Sequence, residues 1–214
     1  MMERRDFVRR LLADRGDLLV VCGLGSPTYD AAAAGDHPLN LYLWGAMGGA
    51  AMIGLGLALA RPDRRVAVLT GDGEALMGLG SLATIGVKQP ANLAIVVLDN
   101  QHYGETGMQP SHTRDGIDLV AIARACKFGE ARAISDIAEA GAIRDLLHAG
   151  RGPILVQARI ESGDTPRVLP NRDGKAAGGL ARPGRTHRHR HHHRRSVEPR
   201  RGGGRIPPDG PAAH

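Results

Sequence analysis

The hydrophobic positions of this chain fall into short continuous runs separated by helical patterns. Leu18 to Cys22, Arg65 to Thr70, Leu93 to Asp99 and Ile154 to Arg159 are rich in Val, Ile and Leu and too short for helices, so they read as buried strands. Asn40 to Trp44 reads as a further strand end. Phe7 to Ala13, a small-residue stretch from about Met47 to Ala60, Leu76 to Val87, Leu119 to Cys126 and Ile137 to Leu147 carry helical patterns between them. A strand buried on both faces shows no polar alternation, which is the mark of a parallel sheet covered by helices on each side. The predicted fold class is therefore α/β, a parallel sheet with helices on both faces. Ligands on such sheets bind outside the carboxyl ends of the strands. The Gly-rich turns Gly23-Leu24-Gly25 and Gly71-Asp72-Gly73 both stand at such ends.

One apolar run needs a separate test. Leu41 to Ala60 is 20 residues without a charge, long enough to span a bilayer, and Gly45 and Gly49 form a GxxxG pair. The run holds five glycines, opens as strand and turn, and is followed at once by Arg61-Pro62-Asp63 and another strand. It is read as a helix packed on the sheet, with no membrane partner.

Composition changes the picture mainly at the C-terminus. Residues 171–214 hold 11 Lys and Arg against 3 Asp and Glu, a net of +8, while residues 1–170 hold 17 against 19, a net of −2. The basic character belongs to the tail. With His187-Arg188-His189-Arg190-His191 at its centre and a Gly/Pro-rich end, residues 171–214 are expected to be a disordered tail behind a folded domain of residues 1–170. A basic tail can bind nucleic acid through phosphates, but no aromatic stacking platform accompanies it, so nucleic acid is not the expected partner. Two isolated cysteines, Cys22 and Cys126, exclude a disulfide framework or a cysteine-based zinc site. With no apolar leader between Met1 and Arg10, a cytoplasmic setting is expected.

The candidate chemistry lies at two neighbouring strand ends. Gly71-Asp72-Gly73 presents a carboxylate with little bulk beside it, and Asn100 follows 28 residues later at the end of the next strand. One helical crossover returns a parallel chain to the same sheet edge, so both residues can reach one point. A carboxylate, an amide oxygen and a backbone carbonyl suit a hard cation such as Mg²⁺. The adjacent glycines leave backbone N–H groups open to phosphate oxygens, and a helix beginning near Glu74 adds its N-terminal dipole.

Gly71-Asp72-Gly73 and Asp99-Asn100 together resemble the metal-binding motif of thiamine-diphosphate-dependent enzymes. The resemblance implies that Asp72, Asn100 and the carbonyl of His102 bind Mg²⁺. The cofactor diphosphate would lie by Gly71, Gly73, Glu74, Tyr103 and Gly104. Asp99 departs from the pattern, which often has Asn there. Gly45-Ala46-Met47-Gly48 resembles the turn that faces the cofactor's aminopyrimidine. This implies that Met47 props the cofactor into its bent form and that the Gly45 carbonyl accepts from the 4′-amino group. Leu43 to Gly48, Gly80 to Ile85, Asp99 to Gly107 and Gln109 to Thr113 are most similar to the sulfopyruvate decarboxylase β subunit and the phosphonopyruvate decarboxylases within that family.

That resemblance implies decarboxylation of a small anionic 2-keto acid. Activation of the cofactor in the family needs a glutamate on a separate pyrimidine-binding domain of roughly 150 residues, for which this chain has no room. A β subunit completed by a pyrimidine-binding α subunit, in a hetero-oligomer inactive without it, is therefore expected. His102, His112 and Thr113, with Arg114 beside them, are polar groups after the metal motif that could hold an anionic substrate tail or move a proton. His102 and His112 are the candidate catalytic residues. Two rival readings share the cofactor: an acetolactate-synthase-like protein, and a 2-oxoacid oxidoreductase subunit, which usually carries more cysteines.

Overall fold

The computed structural model describes residues 1–163 and 165–170. The expected tail, residues 171–214, lies outside the described residues. Six strands form one parallel sheet in the order β2-β1-β3-β4-β8-β7, from β1 (Leu19–Cys22), β2 (Asn40–Tyr42), β3 (Val66–Gly71), β4 (Leu93–Asp99), β7 (Glu130–Ile134) and β8 (Ile154–Arg159). A small antiparallel hairpin, β5 (His102–Tyr103) and β6 (Gln109–Pro110), projects beyond the end of β4. The helices are α1 (Arg4–Leu11), α2 (Ser26–Ala33), α3 (Ala50–Ala60), α4 (Asp72–Met77), α5 (Gly80–Lys88), α6 (Leu119–Ala125) and α7 (Ala140–Ala149).

Strand alternation assigns the two faces. Ala67 and Leu69 of β3 and Ala94, Val96 and Leu98 of β4 pack with Phe7, Val8 and Leu11 of α1, Ala31 of α2, and Ile143 and Leu147 of α7. Val66 and Val68 of β3 and Leu93, Ile95 and Val97 of β4 pack on the other face with Leu55 and Ala58 of α3, Leu82 and Ile85 of α5, and Leu119 and Ala123 of α6. Every residue of β4 is buried, and each large aliphatic side chain so enclosed stabilises by about 1.5–3 kcal/mol. Small residues let the layers close without many aromatics. A Cβ on Gly54 would lie 2.2 Å from Val68 Cγ2, so α3 sits directly on β3.

The sequence expectation of a parallel sheet sandwiched by helices holds, with local differences that have physical reasons. The helix expected from Met47 starts at Ala50, because Ala46 (φ +55°) and Gly48 (φ +91°) turn the chain through left-handed conformations just before it. The helix expected over Leu76 to Val87 is two, α4 and α5, broken near Gly78. A Cβ there would stand 2.3 Å from the Gly48 carbonyl oxygen, so the break makes room for the turn before α3. Helix α2 carries mostly alanine as its apolar face and β7 alternates polar with small residues, so neither stood out. No helix among the described residues is long and apolar enough to cross a membrane.

Two features of the topology place the site. The chain steps from β1 outward to β2, then crosses back to lay β3 on the other side of β1. This reversal opens a crevice beyond the carboxyl ends of β1 and β3, where open α/β sheets bind ligands. In register, Gly71 of β3 is opposite Leu98 of β4, and Asp99 of β4 is opposite Arg159 of β8. The two predicted ligand positions, Asp72 and Asn100, therefore leave the sheet side by side.

Candidate cofactor site

A cavity of about 370 Å³ occupies that crevice, within the usual size range of small-molecule sites. Its wall takes Leu24, Ser26 and Pro27 from the turn after β1 and the start of α2, and Gly71 to Glu74 from the β3–α4 junction. Asn100, His102, Tyr103, Gly104, Glu105 and His112 come from the chain after β4. Met47 closes one side and Arg4 another.

Strand β3 passes into α4 with no intervening loop, so Asp72, Gly73 and Glu74 form the first turn of that helix. Gly73 faces the hairpin so closely that a Cβ would fall 2.6 Å from Tyr103 Cδ1, with Met47 Cε also near at 3.6 Å. Asp72 is buried, and its Oδ2 accepts from Ser111 Oγ and, at 3.3 Å, from Thr113 Oγ1. Burial pushes its carboxyl up to about 6; the nearby Asp99 adds to the rise, while the hydroxyls oppose it. Glu74 Oε2 accepts from the Leu24 N–H at 3.1 Å and from Thr70 Oγ1 at 2.8 Å, tying the ends of β1 and β3 together. Its other oxygen, Oε1, is buried with no hydrogen-bond partner.

Two overlapping side-chain turns shape the chain after β4. Asp99 Oδ1 accepts from the Gln101 N–H at 3.0 Å, and Asn100 Oδ1 accepts from the His102 N–H at 3.0 Å. Such turns let Asp and Asn replace a backbone hydrogen bond and tolerate tight geometry; Gln101 sits at φ +63° between them. His102 Nδ1 lies 2.8 Å from the Asn100 carbonyl oxygen and Nε2 lies 3.3 Å from Arg114 Nη1. A carbonyl only accepts and a guanidinium only donates. His102 is therefore the Nδ1–H tautomer, with its Nε2 lone pair turned toward Arg114. His112 meets Tyr103 edge to face, ring centroids 6.1 Å apart.

Most of the residues singled out from sequence come together here: Met47, Gly71, Asp72, Gly73, Glu74, Asn100, His102, Tyr103, Gly104 and His112 all line the cavity. Gly45 stands in the exposed turn two residues before Met47 and is not among the lining residues. Thr113 is buried and points to Asp72 and Asp99, so it is not a group that faces substrate. Ser111 and Gln157 form buried contacts with Asp72 and Asp99 that the sequence pattern did not reveal. Of the two, only Ser111 lies in a stretch of similarity, Gln109 to Thr113.

The donor set fits a hard divalent cation bound with a diphosphate. Asp72 is a buried carboxylate with no cationic side chain bonded to it among the described residues, an arrangement that favours a counter-ion. Asn100 Oδ1 keeps a second lone pair after accepting from His102. No cluster of three or more His, Cys, Asp or Glu is available to hold a metal among the described residues, so a cation here would need amide or carbonyl oxygens beside Asp72.

Residues 24–158 match the family model of the thiamine pyrophosphate enzyme C-terminal TPP binding domain. The chain is 40% identical over 164 residues to the sulfopyruvate decarboxylase subunit beta of Methanothermobacter thermautotrophicus, covering 77% of this chain and 85% of that one. It is 38% identical over 169 residues to the phosphonopyruvate decarboxylase of Streptomyces viridochromogenes, covering 76% of this chain and 42% of that protein. A solved structure of a thiamin diphosphate-dependent enzyme type from Mycobacterium smegmatis superposes with a TM-score of 0.63 at 20% identity, over 76% of this chain and 32% of that one, and shares the fold.

Proposed function

Because the chain belongs to the thiamine pyrophosphate enzyme family, as a C-terminal TPP-binding domain, we propose that it is the β subunit of a thiamine-diphosphate-dependent 2-keto acid decarboxylase of the sulfopyruvate or phosphonopyruvate type. The observation that carries this reading is the convergence of Asp72, Asn100, His102 and Met47 on one cavity at the β1–β3 crevice. The relatives support the split architecture. The chain spans 85% of a relative named as a β subunit but 42% of one named as a decarboxylase without subunit designation. The remaining part, with the activating glutamate, belongs in this reading to a pyrimidine-binding α subunit.

Asp72, Asn100 and the His102 carbonyl would hold Mg²⁺. Gly71, Gly73, Glu74, Tyr103 and Gly104 would enclose the diphosphate, and Met47, with the Gly45 carbonyl, would face the pyrimidine end. When bound, thiamine diphosphate supplies the electron sink that lets a 2-keto acid lose CO₂. The rest of the work falls to the chain itself. Leu24, Leu76 and Met77 keep the cavity wall apolar and limit water. Glu74 is held by Leu24 and Thr70 and fixes the crevice width. His102 can accept a proton only at Nε2, where Arg114 already donates. His102, His112 and Arg114 form a polar rim suited to a small anionic substrate. The two cysteines, one buried and one half-buried and neither disulfide-bonded, fit a cytoplasmic setting.

Co-expression with a candidate pyrimidine-binding chain, followed by assays of CO₂ release from sulfopyruvate and phosphonopyruvate, tests the proposal. Activity is expected only from the mixed complex with Mg²⁺ and thiamine diphosphate present, and Asp72→Ala and Asn100→Ala should each abolish it. Full activity in either variant overturns the ligand assignment. Products with a new carbon–carbon bond, or acceptor-dependent oxidation in place of CO₂ and aldehyde, would move the chain to one of the rival reactions.

A further inference from the structure

Behind the cavity, Asp72 is the front of a longer buried chain of polar groups. Ser111, Thr113, Asp99 and Gln157 are each almost fully enclosed. They come from separate parts of the fold: the segment after β6, the end of β4, and β8. Ser111 Oγ donates to Asp72 Oδ2. Thr113 Oγ1 stands 3.3 Å from the same oxygen, 2.9 Å from Ser111 Oγ and 2.9 Å from Asp99 Oδ1. Each hydroxyl has a single proton and two lone pairs, so Thr113 shares its one proton between the two carboxylates, more closely with Asp99 than with Asp72.

Asp99 is itself fully engaged. Its Oδ1 accepts from Thr113 and from the Gln101 N–H, and its Oδ2 accepts from Gln157 Nε2 and pairs with Arg159 Nη1 at 2.8 Å. With both oxygens accepting hydrogen bonds and its charge met by the Arg159 ion pair, Asp99 serves as an anchor. It also grips both ends of the segment between β4 and Thr113, through Gln101 at one end and Thr113 at the other.

We propose that Thr113, held by Asp99, is a positioning residue that fixes the Asp72 carboxylate for the cofactor's divalent cation. The proposal rests on the cofactor reading above. It assigns no ligand role to Thr113: the hydroxyl shares Oδ2 with Ser111 and so sets the rotation of the carboxylate about its own axis. Partners that orient a metal ligand typically change metal affinity by about 10–100-fold when removed. A threonine that merely glued the segment to the sheet would change stability and leave the affinity alone.

The test uses the full chain in complex with its pyrimidine-binding subunit, with Mn²⁺ as the probe cation in the presence of thiamine diphosphate. Bound Mn²⁺ is read by electron paramagnetic resonance, and the metal-free melting temperature is recorded for each variant. Wild type should bind and Asp72→Ala should not. Thr113→Val should weaken Mn²⁺ binding about 10-fold or more and broaden the spectrum of the bound ion. Thr113→Ser should restore both; the metal-free melting temperature should fall in the valine variant, which leaves buried Asp99 short of a donor, so the positioning role is read from the affinity and the spectrum. Thr113→Ala, which deletes the hydroxyl without setting a methyl between two carboxylates, gives the same reading if the valine variant does not fold. Wild-type affinity in the valine or alanine variant overturns the positioning role while leaving Asp72 as a ligand. Failure of wild type to bind, or binding by Asp72→Ala, overturns the cofactor reading and this proposal with it.

Discussion

Gly48 and Gly78 meet backbone to backbone: a Cβ on Gly78 would stand 2.3 Å from the Gly48 carbonyl oxygen. This contact joins the turn that carries Met47 to the break between α4 and α5, and neither side can yield without moving main chain. Gly78→Ala is expected to destabilise the chain by about 1–3 kcal/mol, the usual cost of overpacking, measurable by urea denaturation. It should also weaken thiamine diphosphate binding, because the turn bearing Met47 must shift. An alanine variant with unchanged stability would mean that the two turns are not rigidly joined.

Met47 bears on cofactor conformation more than on cofactor retention. Its methyl end approaches the Gly73 position on the cavity wall, and its removal leaves the proposed cation ligands in place. Met47→Ala is expected to lower kcat of the assembled enzyme by about 100-fold, the scale of a lost orienting contact, while the cofactor Kd rises much less. Titration of the cofactor alongside steady-state rates separates the two. A rise in Kd with kcat preserved would contradict the orienting role.

Metal removal should release the cofactor. The proposed ligands are oxygens only, so chelation with EDTA is expected to strip the cation and, with it, the anchor of the diphosphate. Gel filtration after chelation should yield complex free of thiamine diphosphate, and binding should return on adding Mg²⁺. Retention of the cofactor by the stripped protein would mean that the N–H groups around Gly71 and Gly73 suffice.

The two thiols should behave differently. Cys22 is enclosed at the end of β1, and burial pushes its thiol up to about 12. Because the raised value leaves almost no thiolate at pH 8, and the thiolate is the reactive form, Cys22 should resist modification in the folded protein. Cys126 is half-buried at the end of α6. A thiol titration at pH 8 should count one reactive group in native protein and two in guanidinium chloride. Two fast thiols in native protein would show that β1 opens readily.

Deletion of residues 175–214 is expected to leave cofactor binding and the melting temperature of the complex unchanged, since that composition cannot build a core. Calorimetric titration of the truncated complex with thiamine diphosphate and Mg²⁺ measures this directly. A lost heat of binding would place part of the site beyond residue 170.

The sheet was legible because its strands are buried on both faces, so the apolar runs of β3, β4 and β8 could hardly be anything else. The Asp72 and Asn100 positions were legible because a carboxylate between two glycines at a strand end has few structural uses. Helix α2 was not, since its burial rests on alanines and on Asp30, whose carboxylate is paired with Arg4 and Arg5. The division of α4 from α5 depends on a backbone contact with Gly48, thirty residues away along the chain, and leaves no trace in local periodicity. The place of Ser111 and Thr113 behind Asp72 was hidden for a similar reason. In sequence they belong to a polar stretch, and only the return of the β5–β6 hairpin carries them beneath Asp72. A chain pattern reports what each segment prefers. It does not report which distant hydroxyl arrives.

The outer strands of the sheet have a consequence for how the protein avoids its own copies. Strand β2 is three residues long, and β7 sets Glu130 and Arg132 along the opposite border, paired with each other. Short or charged borders are poor templates for another chain's backbone. A crowded solution of this protein is therefore guarded against ribbon-like aggregation at both flanks, and a specific neighbour is left to approach through helical faces or the rim of the crevice.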